Sequence, residues 1–110
     1  MELASLTIDC RNAAMLAAFW AAAFECDTDV NASNDFAALQ LPGGPSLSFV
    51  VVPEPKTVKN RVHLDVRVDD LDATVDRLVA LGATVHATYD EGGSRWTTML
   101  DVEGNEFCVL

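Results

Sequence analysis

The chain of 110 residues carries seven Lys or Arg against 17 Asp or Glu, a formal net charge of -10 at pH 7. Such a surface repels phosphate and anionic headgroups, which argues against nucleic-acid and membrane-surface binding. Half of the residues are hydrophobic and 22% are charged, a balance that supports one compact domain and argues against disorder.

No apolar run approaches the roughly 20 residues that span a bilayer, and Met1-Glu2 lacks the basic region of a secretory signal. A soluble cytoplasmic protein is the expectation. A monomer of this size buries about two-thirds of its unfolded surface, so so high an apolar fraction also points to a partner subunit covering part of it. Cys10, Cys26 and Cys108 are odd in number and without a close pair, which reads as reduced thiols.

In chain order, Leu3 to Cys10 alternates as a half-buried strand, with Leu6, Ile8 and Cys10 on one side and Ser5, Thr7 and Asp9 on the other. Asn12 suits a helix N-cap, and Leu16, Phe19, Trp20, Ala23 and Phe24 form one apolar stripe. Two extended pieces follow, over 35–41 and 46–52, separated by Pro42-Gly43-Gly44-Pro45. Residues 54–60 read as a linker between prolines and the next element.

The pattern then restarts. Val62 to Val68 alternates as a strand, Asp69, Asp70 and Asp72 suit a helix N-terminus, and Leu71, Val75, Leu78 and Val79 make its apolar stripe before Gly82. Three strands are predicted over 84–89, 95–100 and 106–110, with turns at Gly92-Gly93 and at Asp101 to Asn105. Each half is thus read as strand, helix and three strands: an α+β protein of two tandem βαβββ repeats, 1–53 and 61–110, joined by the linker. One helix cannot cover both faces of a four-stranded sheet. The other face of each sheet is therefore either the wet face of an antiparallel sheet or the lining of a cup.

With that repeat in hand, three segments resemble the vicinal oxygen chelate superfamily, the glyoxalase and bleomycin-resistance fold. They are Phe19-Trp20, Asn60 to Val66 (NRVHLDV) and Trp96 to Val109 (WTTMLDVEGNEFCV). The resemblance implies curled sheets around a pocket for a small organic ligand, a homodimer, and in the metalloenzymes one divalent ion chelated from four strand positions. Those positions fall on Ser5, on Ser48 or Val50, on His63, and on Cys108 where glyoxalases carry Glu. The metal set is therefore His63 with Cys108 at most, an incomplete site beside the three protein ligands of a catalytic centre. No cofactor is the expectation, with a divalent metal as the alternative.

Strand parity puts Ser5, Thr7 and Asp9, then Ser46, Ser48 and Val50, then Arg61, His63, Asp65 and Arg67, then Glu106 and Cys108 opposite the helix-packing side chains, as candidate lining. His63 is a candidate general base or ligand partner, alternatively a structural histidine satisfied by Asp65 or Glu106. Glu106 is a candidate catalytic carboxylate or a rim charge, and Cys108 a thiolate or an apolar filler. Trp96 is a packing aromatic or a platform for a flat ligand. Three functions stay open: a metal-independent binder of the bleomycin-resistance type, for which the acidic shell favours cationic ligands; a divalent-metal lyase, isomerase or dioxygenase related to glyoxalase I; and an accessory dimerisation domain without a ligand.

Overall fold

The computed structural model describes all 110 residues, in two compact units, Met1–Pro55 and Lys56–Leu110. In the first, β1 (Ser5–Cys10) leads into α1 (Ala13–Phe24), then β2 (Phe36–Gln40) and β3 (Ser46–Val51). The sheet order is β1-β3-β2, with β1 parallel and β2 antiparallel to the central β3. In the second, β4 (Asp65–Val66), α2 (Leu71–Ala80), β5 (Thr84–Glu91), β6 (Ser94–Leu100) and β7 (Glu106–Val109) give the order β4-β7-β6-β5. This is a mixed α+β fold with one helix on one face of each sheet.

The helix boundaries follow local chemistry. Asn12 Oδ1 accepts from the Met15 N–H at 3.0 Å and Asp70 Oδ1 from the Ala73 N–H at 3.0 Å, each satisfying a donor that the first helical turn leaves orphaned. Beyond α2, Gly82 sits at φ +114°, a backbone conformation that favours glycine, and a Cβ there would press on Val102 Cγ1 at 3.0 Å. Leu16, Phe19 and Trp20 of α1 pack with Leu39, Leu47 and Phe49 in the core of the first unit. Leu78, Met99, Phe107 and Val109 form that of the second.

Two expectations are corrected: the fourth strand that the repeat implied for the first unit without placing it, and the length of the strand over 62–68. The first unit has three strands, not four, because residues 25–35 form no strand. That segment is rich in Asp, Asn, Ser and Thr, whose side chains bond the backbone locally and compete with a ladder. Asp29 Oδ1 accepts from the Asn31 N–H and Ser33 Oγ from the Asp35 and Phe36 N–H groups. Asp29 Oδ2 accepts from Ala38 N–H at 2.9 Å, so a carboxylate takes an edge donor of β2 that a further strand would otherwise satisfy.

The predicted strand over 62–68 is also shorter. Only Asp65–Val66 forms regular ladder, although Cys108 N–H to Leu64 O, Leu110 N–H to Val66 O and Val68 N–H to Leu110 O extend the parallel pairing at 2.8–2.9 Å. Val62 is 74% exposed; with nothing packed on it, alternation alone does not make a strand. No helix is long and apolar enough to cross a membrane.

Candidate functional site

Register decides which side chains share the uncovered face of each sheet. In the first unit β1 and β3 set Ser5 beside Ser46, Thr7 beside Ser48 and Asp9 beside Val50, while Leu47 and Phe49 turn to the core. Ser5 Oγ and Ser48 Oγ lie 3.0 Å apart and bond one another. That bond uses one O–H and one lone pair, and the face around it carries no imidazole or thiol.

The uncovered face of the second sheet carries the titratable groups. Asp65 lies directly opposite Cys108 in the parallel β4–β7 pairing, and Cys108 opposite Thr98 in the antiparallel β6–β7 pairing. His63, two residues before Asp65, has the same parity. Its Nδ1 is 3.0 Å from Asp65 Oδ1, and one ligand atom from each of His63, Asp65 and Cys108 falls within 4.8 Å of the others. Thr98 Oγ1 stands 3.5 Å from Cys108 Sγ. His63 and Asp65 are exposed and Cys108 half-buried, so the group opens outward from a seated thiol.

Metal–ligand bonds of about 2.0–2.3 Å at tetrahedral angles need donors about 3.3–3.8 Å apart, and those of His63, Asp65 and Cys108 lie within 4.8 Å of one another. An imidazole, a carboxylate and a thiol are accepted ligands for a borderline ion such as zinc, and three protein ligands leave a fourth position open. The residues present fit a metal. Asp65 stands as a third donor beside His63 and Cys108.

Glu106 is not part of that group. Lys56 Nζ donates to its Oε1 at 3.0 Å and the Asn60 N–H to its Oε2 at 2.7 Å, so the carboxylate pins residues 56–60 to the start of β7. Desolvation pushes the carboxyl up, but the Asn60 and Lys56 hydrogen bonds outweigh it and hold the group below the ordinary value of 4.5. A carboxylate engaged on both oxygens and held ionised is a fastening rather than a proton carrier. Arg61 is exposed near the same linker.

Trp96 and Tyr89, opposite each other on β6 and β5, stack with ring centroids 4.9 Å apart and planes 13° from parallel. Trp96 borders a cleft of about 380 Å³ with Arg67, Ser94, Arg95 and Leu110. Arg95 is bound to Asp72 on α2 at 2.9 Å, and that hydrogen bond and charge raise its pKa. Parity grouped Arg67 with His63 and Asp65, but Tyr89 and Leu110 escaped sequence reasoning because only strand register shows that they stand beside Trp96.

Comparison with known proteins agrees with this architecture. Residues 5–110 match the family model described as a glyoxalase-like domain, and the chain belongs to that family. It resembles a glyoxalase/bleomycin resistance protein/dioxygenase family enzyme from Burkholderia phytofirmans PsJN, with 23% identity, a TM-score of 0.81, and 99% and 97% of the two chains covered. A possible glyoxalase from Bacillus cereus gives 17% identity and a TM-score of 0.78 over 100% and 98% of the chains. A mutant of a fosfomycin resistance protein from Listeria monocytogenes, complexed with Mn(II) and 1S,2S-dihydroxypropylphosphonic acid, gives 12% identity and a TM-score of 0.79 over 99% and 87%. At these identities the likeness is one of fold. No curated protein sequence matches the chain.

Proposed function

We propose that the protein binds a small organic molecule on the uncovered face of its second sheet, centred on His63, Asp65 and Cys108. The observation that supports this reading is the convergence of those three donors within 4.8 Å beside an open cleft. Clefts with a few convergent polar groups are the ordinary form of small-molecule sites. In this reading Asp65 orients the imidazole: a proton on Nδ1 held by Asp65 leaves Nε2 as the acceptor that faces the ligand. Thr98 holds the thiol and Glu106 fastens the linker. Ser5 and Ser48 bond each other and Arg61 stays at the rim, so these three are left outside the centre.

A second reading is favoured by the third donor. The same residues hold a divalent ion, as the Listeria monocytogenes relative holds Mn(II), and the protein is a metal-dependent lyase, isomerase or dioxygenase. When bound, such an ion supplies a Lewis acid for adjacent substrate oxygens. His63 and Cys108 then ligate, and Asp65 either ligates or holds the imidazole through its second nitrogen. A homodimer in the cytoplasm belongs to the same proposal, supported by the half-hydrophobic composition.

Elemental mass spectrometry of natively purified protein and its His63→Ala variant separates the two readings. Stoichiometric metal that is lost with His63 selects the metalloenzyme. Metal-free protein whose His63, Asp65 and Cys108 resonances shift with ligands in a fragment screen selects the metal-independent binder. Metal-free protein with no shift on this face overturns both.

A further inference from the structure

The uncovered face of the second sheet is organised in rows across its four strands. One row is Asp65, Cys108, Thr98 and Ala87, read directly from the pairings. The next is Arg67, Leu110, Trp96 and Tyr89. Tyr89 pairs with Trp96. Thr97 pairs with Val109, which sets Trp96 opposite Leu110. Leu110 is bonded to Val66 and Val68 on either side of Arg67. The two rows are two residues apart along the strands, about 7 Å.

This second row has a definite chemistry. Tyr89 covers one face of the Trp96 indole, so the other face is turned along the row towards Leu110 and Arg67. The result is a slot with an indole for one wall, Leu110 for its floor and a guanidinium for the other wall, within the cleft of about 380 Å³. Roughly 300 Å³ and upward is the range of small-molecule sites. Two of the seven cationic residues of a chain with net charge -10 border this cleft. Arg95 is already committed to Asp72, whereas none of the ion pairs, Lys56–Glu106, His63–Asp65 and Arg95–Asp72, includes Arg67. A guanidinium presents a rigid fork of donors that matches a carboxylate or phosphonate, and an exposed indole face takes a flat ring.

We infer that the Arg67–Leu110–Trp96 slot selects ligands that combine a flat unsaturated ring with an anionic group, the ring on Trp96 and the anion on Arg67. The inference rests on the binding reading above and names its ligand class. It reverses the preference for cations that the acidic composition suggests, because a guanidinium in direct bidentate contact acts at hydrogen-bond distance whereas charges further away than about 10 Å are largely screened at 0.1 M salt. A ligand seated in this row reaches the Asp65–Cys108 row with any oxygen about 7 Å from its ring centre.

The two tryptophans make the test self-controlled, since Trp20 is 3% exposed in the core of the first unit and its indole N–H reports folding. Proton–nitrogen correlation spectra are titrated with benzoate and with benzylammonium, which share a ring and differ in charge. Benzoate is expected to shift the Trp96 indole N–H saturably and leave Trp20 in place. Arg67→Gln is expected to weaken that binding about tenfold, and Trp96→Leu to remove the remaining saturable shifts at Leu110 and Ser94. Arg67→Lys should recover only part of the loss, because an ammonium lacks the fork. Benzylammonium binding as tightly as benzoate, or benzoate binding unchanged in Arg67→Gln, overturns the inference. Shifts confined to His63, Asp65 and Cys108 overturn it while leaving the binding reading standing.

Discussion

The two units share a plan and divide their chemistry unevenly. In the first, α1 is uncharged and contributes six buried residues, and the uncovered face offers hydroxyls that bond each other. In the second, α2 is strongly amphipathic with Leu78 as its one buried residue, and the uncovered face carries His63, Asp65, Arg67 and Cys108. Both histidines and six of the seven Lys and Arg residues lie in Lys56–Leu110, with Arg11 the exception. A repeated scaffold thus lets one copy keep a tight apolar core while the other carries the titratable side chains on its uncovered face.

The comparison is sharpened most by matched core truncations, read as urea midpoints. Leu16→Ala in α1 removes a side chain of zero exposure and is expected to cost about 4 kcal/mol, whereas Leu78→Ala in the thinner core under α2 is expected to cost about 2 kcal/mol. Equal costs would mean that the two helices are equally anchored.

Next come the turns into the last strand of each unit. The first uses Pro42-Gly43-Gly44-Pro45, with Gln40 donating to the Gly44 carbonyl and accepting from Ser46 Oγ. The second relies on buried Asp101, whose Oδ1 accepts from the Glu103 and Asn105 N–H groups and whose two oxygens share the Asn105 side-chain amide. Asp101→Ala leaves those donors unmet and is expected to cost about 2–3 kcal/mol, against under about 1 kcal/mol for Gln40→Ala at the exposed turn. Guanidinium denaturation of both variants checks the contrast.

A pH series isolates Glu106, which fastens a linker only in the second unit. Its carboxyl titrates lower folded than unfolded, so its contribution is complete above the ordinary value of 4.5 and drains away as pH falls through the lower folded value. The stability gap between the natural chain and Glu106→Gln, about 1 kcal/mol at neutral pH, should therefore be flat above that value and close in acid. A gap that widens in acid would reverse the assignment.

The smallest effect concerns the helix ends. α1 closes on Glu25 in the left-handed region at φ +54°, where a side chain is disfavoured, and α2 is followed by Gly82. Glu25→Gly is expected to raise the thermal midpoint by the equivalent of about 0.5–1 kcal/mol, and Gly82→Ala to lower it.

Much of this was legible in residues alone. Alternation and helix-end chemistry are local signals, so β1, α1 from its Asn12 cap, α2 from its Asp69, Asp70 and Asp72 cluster and the α+β class could be read from spacing. Parity likewise grouped His63, Asp65 and Cys108 on one face. What spacing could not supply was the missing fourth strand of the first unit, where Asp29 takes an edge donor of β2 from nine residues away, or the engagement of Glu106 by Lys56 and Asn60 some fifty residues earlier.

Local spacing carried both helices, most of the strands and the face on which each strand residue lies, because these depend on neighbours within about four positions. Only the tertiary structure decided that Asp65 meets Cys108, that Tyr89 backs Trp96 and that Leu110 lies between Trp96 and Arg67. Those pairings are set by strand order and register, which join residues up to 43 positions apart, and a one-residue slip would turn every one of them to the other face.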